Sequence, residues 1–305
     1  MIATVASHQV LALRRRRVLG VLVGSLVGVT VLAGILGWAS HRTIIGVYDE
    51  SVKLLAARGL GAPPNPFLLK PVLSLLSNMV IYVTMIGALV ALVLGHLTVA
   101  EDDTTGIGRL VFSRRLTRPQ YAAGKIAASG LVLGASMLAC AAVSVAALLI
   151  VNRAFPSVGD IGRLGLFFGF SWLYLMVFAL IGMVTLLITG RRSLGLLSAM
   201  GVWLVVTFAV PQFTSGLRPS QSLNPIVDPI STTQTFFRIT RRARPLSIAE
   251  QFKEASARMI RTAPTEPTTD TIIRALPIAA AFLLLCAITV RLVQRHDFSR
   301  SNSGE

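Results

Sequence analysis

The chain has 305 residues, of which 53 % are apolar and only 14 % charged, with a mean hydropathy of +0.71. A soluble domain of this size needs more charge to cover its surface. Apolar runs of about 20 residues recur instead, each long enough to cross a hydrocarbon core about 30 Å thick. The net charge of +16 would suggest nucleic acid on a soluble protein. Here Lys and Arg collect at the ends of apolar runs, as membrane topology requires, and no nucleic-acid partner is expected.

In chain order, residues 1–17 form a basic segment that closes on Arg14, Arg15, Arg16 and Arg17. The first span is expected over 18–39. Its apolar run is longer than the core of a signal peptide, and Trp38 suits an interfacial anchor, so cleavage after it is not expected. A polar stretch with Pro63, Pro64 and Pro66 leads to the second span, 72–97. A charged segment, 98–125, precedes the third span, 126–151. A short link containing Pro156 and Asp160 leads to the fourth, 164–189, and Gly190, Arg191 and Arg192 make a tight turn into the fifth, 194–213. A long segment follows over 214–274. The sixth span, 275–293, ends in a polar tail, 294–305.

Basic residues beside short loops set the orientation. Arg14 to Arg17, Arg109, Arg114, Arg115, Arg118, Lys125, Arg191, Arg192, Arg295 and Arg300 fall on one side, which predicts N-in, C-in topology. The segment 214–274 is then extracytoplasmic despite Arg238, Arg241, Arg242 and Arg244, because loops near 60 residues follow the rule poorly. Within it, Ser247 and Glu250 form a capping box after Pro245. Ile248, Phe252, Ala255 and Met259 then share one face. This predicts a helix near 248–261, lying on the outer membrane surface or on the bundle. The expected architecture is an all-α membrane protein, a six-helix bundle.

Glycines four apart (Gly20, Gly24 and Gly28; Gly130 and Gly134; Gly165 and Gly169) allow close helix approach in lipid. Packing within the chain is preferred to a dimer seam. All thirteen acidic residues lie outside the six expected spans. A mid-membrane carboxylate costs roughly 2.5–3.5 kcal/mol and is kept where ions or protons move, so its absence argues against a proton- or sodium-coupled carrier. Asn78 is the most polar side chain deep in a span. It either bonds between helices or lines a substrate path.

No catalytic constellation is evident. Cys140 and Cys286 lie inside apolar runs, and His8, His41, His96 and His296 are scattered without ligand spacing. There is no nucleophile elbow or zinc-protease motif. The pair Gly124-Lys125 comes closest to a phosphate loop, but Pro119 stands at the required glycine and Ile126 at the required Ser or Thr. The chain therefore carries no ATPase motif of its own.

The segment 101–125 is the most informative. It opens on Glu101, Asp102 and Asp103, passes Gly106, and places Ile107, Leu110 and Val111 on one face of a short helix. The acidic start complements the helix dipole. Arg114, Arg115 and Arg118 follow, and Gly124-Lys125 close the stretch. It resembles the first cytosolic loop of ABC-2 type ABC-transporter permeases. That loop often reads Glu-Arg-Glu-x-Gly-Thr-Leu-x-x-Leu-Leu-Ser-x-Pro-Val-Ser-Arg, with Gly-Lys five residues later. Asp102, Gly106, the apolar Leu110, Val111 and Phe112, Ser113, the run Leu116-Thr117-Arg118, and Gly124-Lys125 match in place. Ile107-Gly108 and Arg115 depart from it. The basic N-terminal segment resembles the family's interfacial elbow helix. The layout is similar to permeases of nitrous-oxide-reductase maturation systems, where an Asn-Pro pair such as Asn224-Pro225 begins the last outer loop.

The resemblance implies a non-catalytic permease subunit of an ATP-driven exporter in the bacterial cytoplasmic membrane. Two separate ABC ATP-binding subunits would dock on a pair of permease copies, identical or related, with ATP and Mg held by the ATPases. The coupling helix would comprise Glu101, Asp102, Asp103, Gly106, Ile107, Leu110, Val111, Arg114, Arg115 and Arg118, closed by Gly124 and Lys125. The alternative is an integral membrane enzyme or scaffold that acts on, or anchors, extracytoplasmic lipid-linked or protein partners.

Overall fold

The computed structural model describes residues 2–15, 17–61, 64, 72–104, 117–152, 156–214, 241–260 and 268–295. Helix α1 (Ile2–Arg15) is set off from α2 (Val18–Ala57) by Arg17, which takes the left-handed conformation at φ 58°. That residue turns the chain sharply, so α1 folds back against α2 and the third span. Ala6 and Gln9, three apart, are its buried face.

The second span is built from pieces. A 3₁₀ turn (Val72–Leu76) leads into α3 (Ser77–Tyr82), a π turn (Val83–Gly87) and α4 (Ala88–Thr104). The third is α5 (Arg118–Asn152) and the fourth α6 (Val158–Thr189). The fifth comprises α7 (Arg192–Leu204), a second π turn (Val205–Ala209) and α8 (Val210–Thr214). A 3₁₀ turn (Arg241–Leu246) precedes α9 (Ile248–Met259), and α10 (Thr268–Arg295) is the sixth span. Six of these helical segments are long and apolar enough to cross a membrane. Exposed Leu138, Ile150, Leu197 and Leu283 coat the perimeter with hydrocarbon, as a lipid-facing surface requires.

α6 is the axis of the bundle. Every residue from Tyr174 to Leu180 is buried, the mark of a helix enclosed on all sides, and α4, α5, α7, α9 and α10 all pack on it. α4 approaches most closely. Gly95 lies against the carbonyl oxygen of Ala179, and Gly182 against that of Leu92, where no Cβ would fit.

Several helices outrun the expected spans. α2 continues from 39 to Ala57, because nothing in Ser40–Ala57 breaks a helix. It stops at Gly59 (φ 72°), where Leu60 N donates to Leu55 O and Gly59 N to Ala56 O, the Schellman closure that only an αL residue permits. α5 begins at Arg118 rather than 126. α6 begins at Val158 rather than 164, because Ser157 caps it by accepting from Asp160 N at 3.2 Å. The expected turn at Gly190 is present, with φ 64°.

The glycine expectation needs correcting. A Cβ at Gly20, Gly24, Gly28, Gly165 or Gly169 would meet nothing within 4 Å among the described residues. Gly130 and Gly134 do pack, but against the indole of Trp172, whose Nε1 donates to Gly130 O at 2.9 Å.

Candidate functional site at the two ends of the bundle

Of the residues assigned to the coupling segment, Gly106, Ile107, Leu110, Val111, Arg114 and Arg115 lie outside the described residues. So does the short helix expected there. Glu101, Asp102 and Asp103 are on the last turn of α4. Arg118, Gly124 and Lys125 all fall on α5. The segment 105–116 is therefore bracketed by two long helices that run through the bundle.

Those brackets are tied to their neighbours by cations. Lys125 is only 3 % exposed. Its Nζ donates to Gln9 Oε1 on α1 at 2.5 Å and to Thr98 O on α4 at 2.8 Å, and it stands 5.4 Å from the ring centre of Tyr121. Arg118 donates to the carbonyl of Gln294, in the last turn of α10. Arg192, at the start of α7, donates to the carbonyl of Ala100. Arg118 meets a carbonyl in the last turn of a helix, where the macrodipole leaves partial negative charge. Thr98 Oγ1 also lies 3.3 Å from Ser129 Oγ on α5. Five helices (α1, α4, α5, α7 and α10) thus meet around the ends of one connecting segment. Both α1 and the end of α10 lie on this side.

The opposite half of the bundle holds the helix expected near 248–261. α9 is capped by Ser247, whose Oγ accepts from Glu250 N at 3.4 Å. Phe252 on α9 stacks on Tyr174 at 4.2 Å and on Phe170 at 5.5 Å. Tyr174 is about 22 Å along α6 from its end at Thr189, inside a hydrocarbon core about 30 Å thick. α9 therefore descends into the bundle and does not lie on the membrane surface.

With it come charges. Arg244 Nη2 is 3.7 Å from Glu250 Oε2 and also pairs with Glu254, while Lys253 Nζ is 3.4 Å from Glu250 Oε1. Gln251 Nε2 donates to Arg244 O at 3.1 Å. Glu250 and Glu254 lie outside the six spans, as expected, and are ion-paired on a non-spanning helix that packs against them. Of the outer arginines, Arg244 is thus a structural partner, Arg242 is exposed, and Arg238 lies outside the described residues.

Both π turns contact α9. A π turn leaves backbone carbonyls without their usual helical donors, and in a membrane these must be met by other groups. Tyr174 Oη donates to Thr84 O at 3.1 Å, and Trp203 Nε1 to Met85 O at 3.2 Å. In the second π turn, Thr207 Oγ1 donates to Trp203 O at 2.6 Å. Asn78 lies half-buried on α3, which touches both α2 and α9. No described side chain hydrogen-bonds to it.

The fold is that of a multi-pass membrane protein, with α4 and α5 tied to their neighbours at one end and an ion-paired helix packed into the bundle at the other. The family model described as ABC-2 family transporter protein matches residues 7–295, and the chain belongs to that family. It is thus an ABC-transporter membrane component, a permease subunit. No curated protein sequence matches the chain.

Proposed function

We propose that this chain is the permease subunit of an ATP-driven ABC-2 exporter, coupled to a separate ATP-binding subunit through the segment between α4 and α5. Two ATPase copies would dock beneath two permease copies at the end that carries α1. That end would face the cytosol of a bacterium. ATP and Mg would bind the partner, and this chain would catalyse nothing itself. Export is the direction the family resemblance favours.

The observation that carries the reading is the set of cation-to-carbonyl ties from Lys125, Arg118 and Arg192. A push on residues 105–116 would move α4 and α5 together with α1, α7 and α10, instead of bending one loop. Glu101, Asp102, Asp103, Gly106, Ile107, Leu110, Val111, Arg114 and Arg115 would form the docking face, with Gly124 allowing close packing beside Lys125. Asn78 and α9 would lie along the path taken by substrate.

The test is purification from the native host in mild detergent, with identification of co-purifying chains and assay of vanadate-sensitive ATP hydrolysis. A stoichiometric P-loop ATPase is expected. Gly106→Pro, and separately Arg114→Glu with Arg115→Glu, should lower hydrolysis while the permease keeps its thermal stability. A single-chain preparation without ATPase, or unchanged hydrolysis in both variants, would overturn the proposal.

A further inference from the structure

A groove of about 360 Å³ runs between α2 and α5, in the half of the membrane away from α1. Val31, Ile35 and Trp38 form one wall and Val143, Ala147 and Ile150 the other. The helices touch at Gly34, where a Cβ would come within 3.2 Å of that of Ala147. Ile35 and Ile150 are exposed beside this contact, so the groove opens sideways to lipid.

Its upper rim is different in kind. From Val18 to Trp38 is about 30 Å of helix, one hydrocarbon thickness, which puts the indole at the polar boundary. One turn further, the Arg42 guanidinium lies over the Trp38 ring, 5.6 Å from its centre. No described carboxylate pairs with Arg42, and the next acids on the helix, Asp49 and Glu50, are about two turns beyond. An aliphatic slot therefore ends under an exposed cation held at the depth of lipid phosphates.

The geometry points to a bound anionic glycerophospholipid, with one acyl chain in the α2–α5 groove and its phosphate on Arg42. The apolar walls take the chain, the indole packs beside the glycerol region, and the guanidinium takes two phosphate oxygens in its fork. A neutral lipid would fill the slot but gain less at Arg42. The site is independent of the permease reading.

The test is quenching of Trp38 fluorescence in vesicles of phosphatidylcholine mixed with chain-brominated lipid. The signal lost in Trp38→Phe isolates the Trp38 component. Brominated phosphatidylglycerol should quench it with a relative affinity about fivefold above brominated phosphatidylcholine, the factor matching roughly 1 kcal/mol per basic residue near an anionic headgroup. Arg42→Gln should abolish the preference and Arg42→Lys should retain most of it. Equal quenching by both lipids, unchanged in Arg42→Gln, means bulk lipid only and overturns the proposal. A Trp38 component that neither lipid quenches means a protein surface, such as a second copy, covers the groove, and overturns it too.

Discussion

Lys125 offers the sharpest test of how the α1 end is held together. Its ammonium is withdrawn from water and meets Gln9, Thr98 O and the Tyr121 ring. A hydrogen bond to a charged group contributes about 1.5–3 kcal/mol, and an aromatic face adds about 0.5–1 kcal/mol. Against this stands the desolvation of the ammonium, several kcal/mol. Gln9→Leu keeps the buried charge and removes one acceptor, so it should cost the whole of that bond, about 1.5–3 kcal/mol. Lys125→Met keeps the aliphatic stem and removes the charge together with its desolvation, so its cost should be smaller, near 1 kcal/mol. The double variant places Leu beside Met, and apolar pairs of similar shape can replace polar ones almost without loss. The double-variant cycle should therefore show a coupling of about 1–3 kcal/mol. The assay is SDS-driven unfolding of the detergent-solubilised chain, followed by circular dichroism. Additive single effects, within about 0.5 kcal/mol, would refute the account of Lys125 as the tie between α1 and the span ends.

Two further outcomes use the same assay. Gly182→Ala drives a methyl into the Leu92 carbonyl and should cost about 1–3 kcal/mol, whereas Gly24→Ala meets open space and should be neutral or stabilising through helix propensity, worth up to about 1 kcal/mol; equal effects would contradict the α4–α6 contact. Phe252→Ala removes the stack on Tyr174 and Phe170, a change that typically costs about 3–5 kcal/mol in a core. Amide exchange over 248–259 should then accelerate while that of 176–187 on α6 stays protected, and an unchanged α9 would refute its insertion.

The number of spans was legible because each is an apolar run, and the Gly190 turn because a basic pair follows a glycine. Helix ends were not, because hydropathy registers only the hydrocarbon-length part. α2 and α5 continue as polar helices where no apolar signal remains. Two local signals did exist. Ser157 three residues before Asp160 is a helix start, and Arg58-Gly59 is a helix stop. The capping box at Ser247 correctly announced α9, but an amphipathic pattern is the same for a helix on a surface and one inside a bundle. Its depth is set by Tyr174 and Phe170, far away in sequence. The ion pairs that accompany it were hidden for the same reason. Arg118 and Lys125, read from the sequence as loop residues before a span at 126, fall inside α5, and their partners come from α1, α4 and α10. The first π turn left no trace in sequence, since the donors that make it tolerable, Tyr174 and Trp203, belong to other spans.

That last feature bears on how the second span is indexed. Each π turn holds one residue more than the α-helix would, and one residue corresponds to about 100° of rotation. The stretch of Ser77–Tyr82 facing α9 and the stretch of Ala88–Thr104 facing Lys125 are therefore offset from each other around the helix axis. Deleting one residue within Val83–Gly87 would restore uniform pitch and swing one half of the span a quarter turn or more against the other. The inserted residue works as a phase shifter, so one continuous span can offer different faces to the two membrane leaflets.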